Sequence, residues 1–257
     1  MNIRSVLCVG LALGAASLFA EVESYNVFGQ IKCTTTFRKT MVAIPWVSTN
    51  ATAQTIKVAE IIQTTNLDEG TMALHWNGLT STWDAWRINA SKEWETVATA
   101  SETGVTVSEN PTDAPIPRGT GIWLIRSDID TNTGDEKTFY LYGKYWEGES
   151  GTLTCPANKS TIVCAPYAEA NGYNLNSIDA TAWAAFGTAT GDAIRRQTDS
   201  FPYYEEWKFV EGTGWGRSEK DGGVKKFVKK DVVMPAGEAF WYVNRHDAAV
   251  NIVWPKL

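Results

Sequence analysis

Apolar and polar residues alternate with a period of two over most of the chain, and this pattern predicts strands. Short β-branched runs end at a proline, as strands do where proline removes a backbone donor. One segment has helical spacing instead, because Val58, Ile61 and Ile62 form a single apolar stripe. A weaker helical stretch runs from Ile178 to Phe186. The pattern therefore predicts a mainly β protein with little helix.

The same series of residues occurs twice along the chain. Trp, Pro and Gly residues of the first half recur in the same order in the second half, 121 or 118 positions later. The pairs include Gly70 with Gly191, Trp86 with Trp207, Trp94 with Trp215, Pro117 with Pro235, and Trp123 with Trp241. Such a series predicts an internal duplication. We expect two tandem homologous β-sandwich or barrel-like modules, over 21–146 and 147–257, each with about six strands and one short helix.

The order of these motifs resembles a known kind of module. A strand ending in Pro-aromatic is followed by Trp-rich hairpins and then by Pro-x-Gly-x-x-(Ile/Phe)-Trp, over nearly the whole chain after residue 20. This order is similar to the "N-L-x-x-x-P … P-G-x-G-(F/Y)-W" β-modules of uncharacterised secreted bacterial proteins, found beside surface-anchoring signals. The resemblance implies a fold and no activity. The chain departs from it at Trp46 and Tyr167, which follow the proline, and at Ala239, which stands where the first copy has Gly121.

The first twenty residues have the features of a secretory signal. A basic start with Arg4 precedes an apolar run to Phe19, and Ala20 stands before an acidic segment. We therefore expect a cleaved signal peptide over 1–20 and a secreted or periplasmic protein. No later stretch approaches the ~20 apolar residues of a membrane span, so we expect none in the mature chain.

Three cysteines follow this segment: Cys33, Cys155 and Cys164. Export permits a disulfide, and the odd count leaves at least one thiol unpaired within the chain. The sequence leaves the pairing open.

The formal net charge of the chain is −6, which argues against a nucleic-acid partner. The basic run Lys225-Lys226-Phe227-Val228-Lys229-Lys230 is an exception to this acidic balance. Two interpretations are open. The run contacts an anionic glycan, or its lysines protect an exposed edge strand from pairing with another chain.

Tryptophan is the first candidate for function, since twelve Trp outnumber nine Phe and nine Tyr. We expect the duplicated tryptophans to fill cores. Strand alternation then places Trp83 and Arg87, and likewise Tyr204 and Lys208, on the faces away from the cores. Trp76 has no counterpart in the repeat. These five residues are the predicted ligand-binding set, and carbohydrate is the predicted ligand; the alternative is a set of cation–π or cross-strand surface pairs.

The sequence contains few motifs typical of catalytic or metal-binding sites. Asp128, Asp130 and Asn132 have the alternate spacing of a calcium loop, but the loop glycine comes one place late and Phe139 stands where a bidentate Glu belongs. We expect a solvated loop and no metal. The sequence contains no H-E-x-x-H, G-x-S-x-G or phosphate-loop motif, so we predict no cofactor and no catalytic residue.

These observations favour a non-catalytic secreted binding or scaffolding protein of the cell envelope or extracellular space, with polysaccharide or another envelope protein as its partner. A structural subunit joined through exposed strand edges is the first alternative. A hydrolase is the second, because carboxylates such as Asp84, Glu205 and Glu206 meet in space and not in sequence. The oligomeric state stays open.

Overall fold

A computed structural model describes residues 28–48, 54–78, 80–98, 107–108, 113–130, 133–145, 151–164, 173–176, 191–198 and 204–254. The predicted signal segment and the predicted helix over 178–186 lie outside these residues. Within them the chain is mainly β, as predicted, and its helix α1 (Val58–Ile61) has four residues.

The strands of the first half are β1 (Phe28–Phe37), β2 (Lys39–Ala43), β3 (Thr55–Ile56), β4 (Met72–Asn77), β5 (Thr82–Ile88), β6 (Trp94–Thr96), β7 (Ile116–Pro117), β8 (Gly121–Ile125) and β9 (Thr133–Lys144). Those of the second half are β10 (Gly151–Cys155), β11 (Ser160–Cys164), β12 (Tyr173–Asn174), β13 (Ala193–Gln197), β14 (Tyr204–Val210), β15 (Gly214–Asp221), β16 (Val224–Lys229), β17 (Val233–Met234), β18 (Ala239–Val243) and β19 (Val250–Trp254).

In the described residues the two large sheets share an order of five strands, and the sheet of the second half has a sixth strand, β16. The first contains the sheet β2-β8-β4-β5-β6 and the pairs β1-β9 and β3-β7. The second contains the sheet β11-β18-β13-β14-β15-β16 and the pairs β10-β19 and β12-β17. The short pairs raise the strand number of each half above the six expected. Common descent of the halves stays a prediction, which superposition of the two halves would test.

Each half has its own apolar core between its large sheet and its long strand pair. Trp86 and Ile88 of β5 lie in the first core, and Trp207 of β14 and Trp215 of β15 lie in the second. The prediction that these tryptophans fill cores is therefore confirmed, whereas Trp94 is only half-buried at the edge of the first core.

Two glycines make room for one of the two buried tryptophans of the first core. Gly29 of β1 lies directly opposite Gly143 of β9, and a Cβ at either position would collide with the Trp46 side chain. Trp46 is fully buried. The central glycine of the strand is therefore a packing requirement of this core.

The three cysteines among the described residues form no disulfide. Cys33, Cys155 and Cys164 are all free, and burial raises the pKa of each thiol to about 12. In the part of the chain that the structure describes, no helix has the length and apolar character needed to cross a membrane.

The hairpin predicted at Asp221-Gly222-Gly223 is present and joins β15 to β16. Gly222 and Gly223 have φ values of +57° and +86°, which glycine adopts without the steric penalty of a side chain. β16 is the last strand of its sheet, as the edge-strand interpretation of its lysines expects. The second predicted hairpin, at 102–104, lies outside the described residues.

Candidate functional site: an aromatic groove between the two halves

The two halves meet through contacts that come in reciprocal pairs. The Ala43 amide donates to the Gly237 carbonyl (3.0 Å), and the Cys164 amide donates to the Gly119 carbonyl (2.8 Å). Since residues 43 and 119 occupy the same places in the first half as 164 and 237 in the second, each contact is the other with the halves exchanged. This reciprocity is the pattern of a local two-fold axis.

Side chains repeat the relation. The Trp76 indole donates from Nε1 to the Ser160 carbonyl (2.9 Å), and the Gln197 amide donates to the Lys39 carbonyl (2.5 Å). Gln197 thus takes the position of Trp76 on the other side of the interface. The same local geometry presents an aromatic ring on one side and an amide on the other.

The departure from the repeat at Ala239 lies at the centre of this interface. A Cβ on Gly121 would collide with the Ala239 Cβ, and it would lie 2.8 Å from both Ile162 Cγ2 and the Val42 carbonyl oxygen. The two equivalent positions therefore touch each other, and there is room for only one side-chain carbon. This contact explains why one copy has glycine where the other has alanine.

Three indole rings meet beside this centre. The ring centroids of Trp76 and Trp83 are 5.1 Å apart, and Trp241 lies 6.4 Å from the first and 6.1 Å from the second. Trp76 and Trp83 are directly opposite each other on β4 and β5, whereas Trp241 comes from β18 of the other half. The tilted and edge-on arrangements are those that aromatic pairs prefer.

The rings open onto a groove of about 400 Å³ between the halves. Its lining consists of Trp76, Asn158, Lys159, Ser160, Arg195, Tyr204, Trp241 and Val243. Tyr204 is 41% exposed, which is unusual among the large aromatic residues that the structure describes. The groove therefore combines flat apolar ring faces with amide, hydroxyl and cationic groups at its rim, the combination that small-ligand sites use.

The charges beside the groove are partly neutralised. Arg195 Nε lies 2.8 Å from a carboxylate oxygen of Glu206, and Lys208 Nζ lies 3.6 Å from the other oxygen. Burial pushes the pKa of Glu206 up, but the hydrogen bond and charge of Arg195, with Lys208 and Arg245, outweigh this effect, so the pKa lies below its ordinary value. Glu206 is therefore an anion at neutral pH and a structural partner of Arg195.

The groove is lined by two of the five predicted ligand residues, Trp76 and Tyr204, and a third, Trp83, packs against the Trp76 ring. Trp83 is half-buried against the rings and does not line the groove, because the face predicted to be outward is covered by Val97 and Val107 of its own half and by the other half. Arg87 lies instead opposite Glu95 on β6 at 3.6 Å, and Lys208 lies beside Glu206. Alternation identified the correct face of each strand but not what covers that face.

The sequence did not identify Trp241 or Arg195 as groove residues. Trp241 and its counterpart Trp123 were expected in cores, and they are half-buried between the halves instead. One feature of the sequence could have indicated the interface. Each tryptophan comes two residues after the equivalent position that is Gly121 in the first copy and Ala239 in the second.

The calcium-loop candidates serve a different purpose. Both oxygens of Asp128 accept hydrogen bonds from the buried Arg126 guanidinium (2.9 and 2.7 Å), which lowers the pKa of this carboxyl. Arg126 also donates to the carbonyls of Thr35 and Asp135. The Asp130 carbonyl accepts from Arg38, and Asn132 lies outside the described residues. The described part of this loop is thus held by arginine.

The carboxylates considered for hydrolysis do not converge. Glu206 lies on the groove side of its sheet, whereas alternation places Asp84 and Glu205 on the core sides of theirs. Glu205 lies 3.6 Å from Arg217, and Asp84 lies 3.7 Å from His75. Each of these carboxylates therefore has its own basic neighbour.

A second groove of about 470 Å³ lies at the interface on the Gln197 side. Its lining includes Thr34, Thr36, Arg196, Gln197 and Glu238. Arg196 and Glu238 bind each other through two hydrogen bonds (3.0 and 3.2 Å), so their polar atoms are already paired. This groove has no stacked rings, and we regard the aromatic groove as the better candidate site.

Comparisons of this chain with protein families, with curated proteins and with solved structures find no match.

Proposed function

We propose that this protein is a non-catalytic binding protein that recognises carbohydrate in the aromatic groove. The observation that carries the proposal is the meeting of three indole rings from both halves beside an exposed tyrosine. A flat apolar face bordered by polar groups suits a sugar ring, whose faces carry C–H groups and whose rim carries hydroxyls.

The rigidity of the groove supports the same proposal. The hydrogen bond from Trp76 to the Ser160 carbonyl fixes the ring, and the ion pair with Glu206 holds Arg195. A site that is formed before the ligand arrives loses little conformational entropy on binding. Secretion and an envelope location remain predictions from the first twenty residues.

The alternative of assembly through strand edges has less support. The edge strand β16 carries Lys225, Lys226 and Lys229, and charged edge residues oppose pairing with a strand of another chain. This arrangement favours recognition by side chains over assembly by strand addition.

A glycan array with the wild type and two variants tests the proposal. Tyr204→Ala removes an exposed ring and leaves the interface intact, and Trp76→Ala removes a ring of the cluster. We expect Tyr204→Ala to weaken binding of the recognised glycan by about tenfold, as loss of an aromatic contact residue does. Tyr140→Ala is the matched control, because this ring lies on β9 and lines neither groove.

Circular dichroism and thermal unfolding establish that each variant is folded. Binding by the wild type and Tyr140→Ala, with weaker binding by both groove variants, supports the proposal. Absence of binding to every glycan on the array, or binding that Tyr204→Ala and Trp76→Ala leave unchanged, contradicts it.

A further inference from the structure

The groove side of the second large sheet can be followed outward from the rings by strand register. Residues directly opposite each other on paired strands lie on the same face. Trp241 is opposite Arg195, Arg195 is opposite Glu206, and Lys208 is opposite Gly216. The same face therefore continues from the groove across β14, β15 and β16 to the tip of the hairpin.

Charges are segregated between the two sides of strands β13 to β16. The groove side carries five cations and one acid: Arg195, Lys208, Lys220, Lys225, Lys229 and Glu206. The opposite side carries three cations and three acids: Arg196, Arg217, Lys226, Glu205, Glu219 and Asp221. A chain with a net charge of −6 thus presents a strongly basic face next to the aromatic groove.

The arrangement at the hairpin tip does not stabilise the fold. Lys220 lies directly opposite Lys225, and like charges in this relation are destabilising. On the opposite side, by contrast, Lys226 is paired with Asp221 at 2.9 Å. Protection of the edge strand explains lysines on β16, but Lys220 on β15 and Lys208 on β14 are not on the edge.

This basic face is also open. The corresponding face of the first sheet is covered by Val97 and Val107, which pack with Trp83 and Trp123. In the second half Lys208, Lys220 and Lys225 are exposed. The half-buried Phe227 ring lies over Gly216 between the lysines, so the face offers an apolar surface as well as charge.

We propose that the ligand of the groove is an acidic polysaccharide, whose chain continues from the rings along the basic face to the tip of the hairpin. The inference rests on the proposed function and specifies its substrate class. Five strands spaced at about 4.8 Å give a path of roughly 20 Å, long enough for several sugar units. Carboxylate or sulfate groups of the polymer would take the place of the acids that this face lacks, and their charge would offset the repulsion between Lys220 and Lys225.

Two pairs of polymers that differ only in charge test this inference. The probes are polygalacturonate and its methyl ester, and dextran sulfate and dextran, measured by biolayer interferometry at low and high salt. We expect at least one acidic polymer to bind the wild type more than tenfold tighter than its neutral partner. The difference should shrink at high salt, because exposed charges are screened.

The variant Lys220→Gln/Lys225→Gln removes the charge at the tip, and Lys226→Gln on the opposite side of β16 is the matched control. We expect the double variant to lose most of the preference for the acidic polymer and the control to keep it. Unfolding by urea should show that the double variant is at least as stable as the wild type, since it removes a repulsive pair.

Equal binding of acidic and neutral polymers overturns the inference and leaves the groove proposal standing. A preference for the acidic polymer that the double variant retains has the same two consequences. If Trp76→Ala binds the acidic polymer as tightly as the wild type, the path does not begin at the rings. If the wild type binds single-stranded oligothymidylate as tightly as the acidic polysaccharide, the surface binds polyanions in general, and the inference is wrong. Failure of both acidic polymers to bind also overturns the inference, whereas failure of the groove proposal itself is seen only when no glycan of any charge binds.

Discussion

The contact between Gly121 and Ala239 gives the sharpest test of how the halves meet. The variant Gly121→Ala adds one methyl group at the local two-fold axis. This group would lie 2.8 Å from both Ile162 Cγ2 and the Val42 carbonyl oxygen, and closer still to the Ala239 Cβ. Ile162 and Ala239 are buried, so neither can move into solvent.

The expected loss of stability follows from these contacts. Overpacking of a buried site destabilises by about 1–3 kcal/mol, and burial of one more methyl group returns about 0.8 kcal/mol. Because a backbone oxygen is among the neighbours, the upper end of the range applies, and we expect a net loss of about 2 kcal/mol in the free energy of unfolding. Adding Ala239→Gly frees the space, so the double variant should recover about 1 kcal/mol or more.

Urea unfolding, followed by tryptophan fluorescence and circular dichroism, measures both values. Gly78→Ala is the control, since a Cβ there meets nothing closer than 3.5 Å. A loss below about 0.5 kcal/mol for Gly121→Ala refutes the packing described at the axis. So does a loss that Ala239→Gly leaves unchanged.

Two further predictions concern the carboxylate partner of the buried Arg126 and the three thiols. The hydrogen bond with Arg126 lowers the pKa of Asp128 below 3.8, so its contribution to stability is complete above that pH and is lost as the pH falls toward the folded-state pKa. Asp128→Asn should therefore reduce stability by about 1–2 kcal/mol at pH 7, because the buried Arg126 loses its carboxylate partner while Asp128 itself is partly screened by solvent. The loss should shrink as the pH falls below 3.8, and a loss that does not change with pH contradicts the ion pair. Burial keeps Cys33, Cys155 and Cys164 protonated, with pKa values of about 12, so iodoacetamide at pH 8 should leave them unlabelled until the protein is unfolded. Peptide mass spectrometry measures the labelling, and fast reaction of any of the three in the folded protein contradicts this prediction.

Much of the fold could be predicted from the local pattern of residues along the chain. Alternation with a period of two predicted strands whose apolar face lies on a core, and Trp86 and Trp207 lie there. The Gly222-Gly223 turn was predictable because few other residues accept two positive φ values in succession. These features depend on residues that are neighbours along the chain.

The site depends on contacts between distant residues, and only parts of it were predictable. Trp76 was identified because it has no counterpart in the repeat. Trp83 was placed on the correct face, but periodicity does not reveal that a second sheet covers that face. Trp241 was assigned to a core because a position framed by glycine and proline in both copies is typical of buried packing. Such a position is equally typical of a symmetric interface.

¹⁹F NMR of the protein labelled with 5-fluorotryptophan tests most directly whether the aromatic groove between the halves binds carbohydrate. Twelve tryptophans give twelve signals, which single Trp→Phe substitutions assign. Titration with the glycan recognised on the array should shift the signals of Trp76 and Trp241 and leave those of the core residues Trp86 and Trp215 unchanged. No shift at Trp76 and Trp241, while the glycan is bound, would contradict the account.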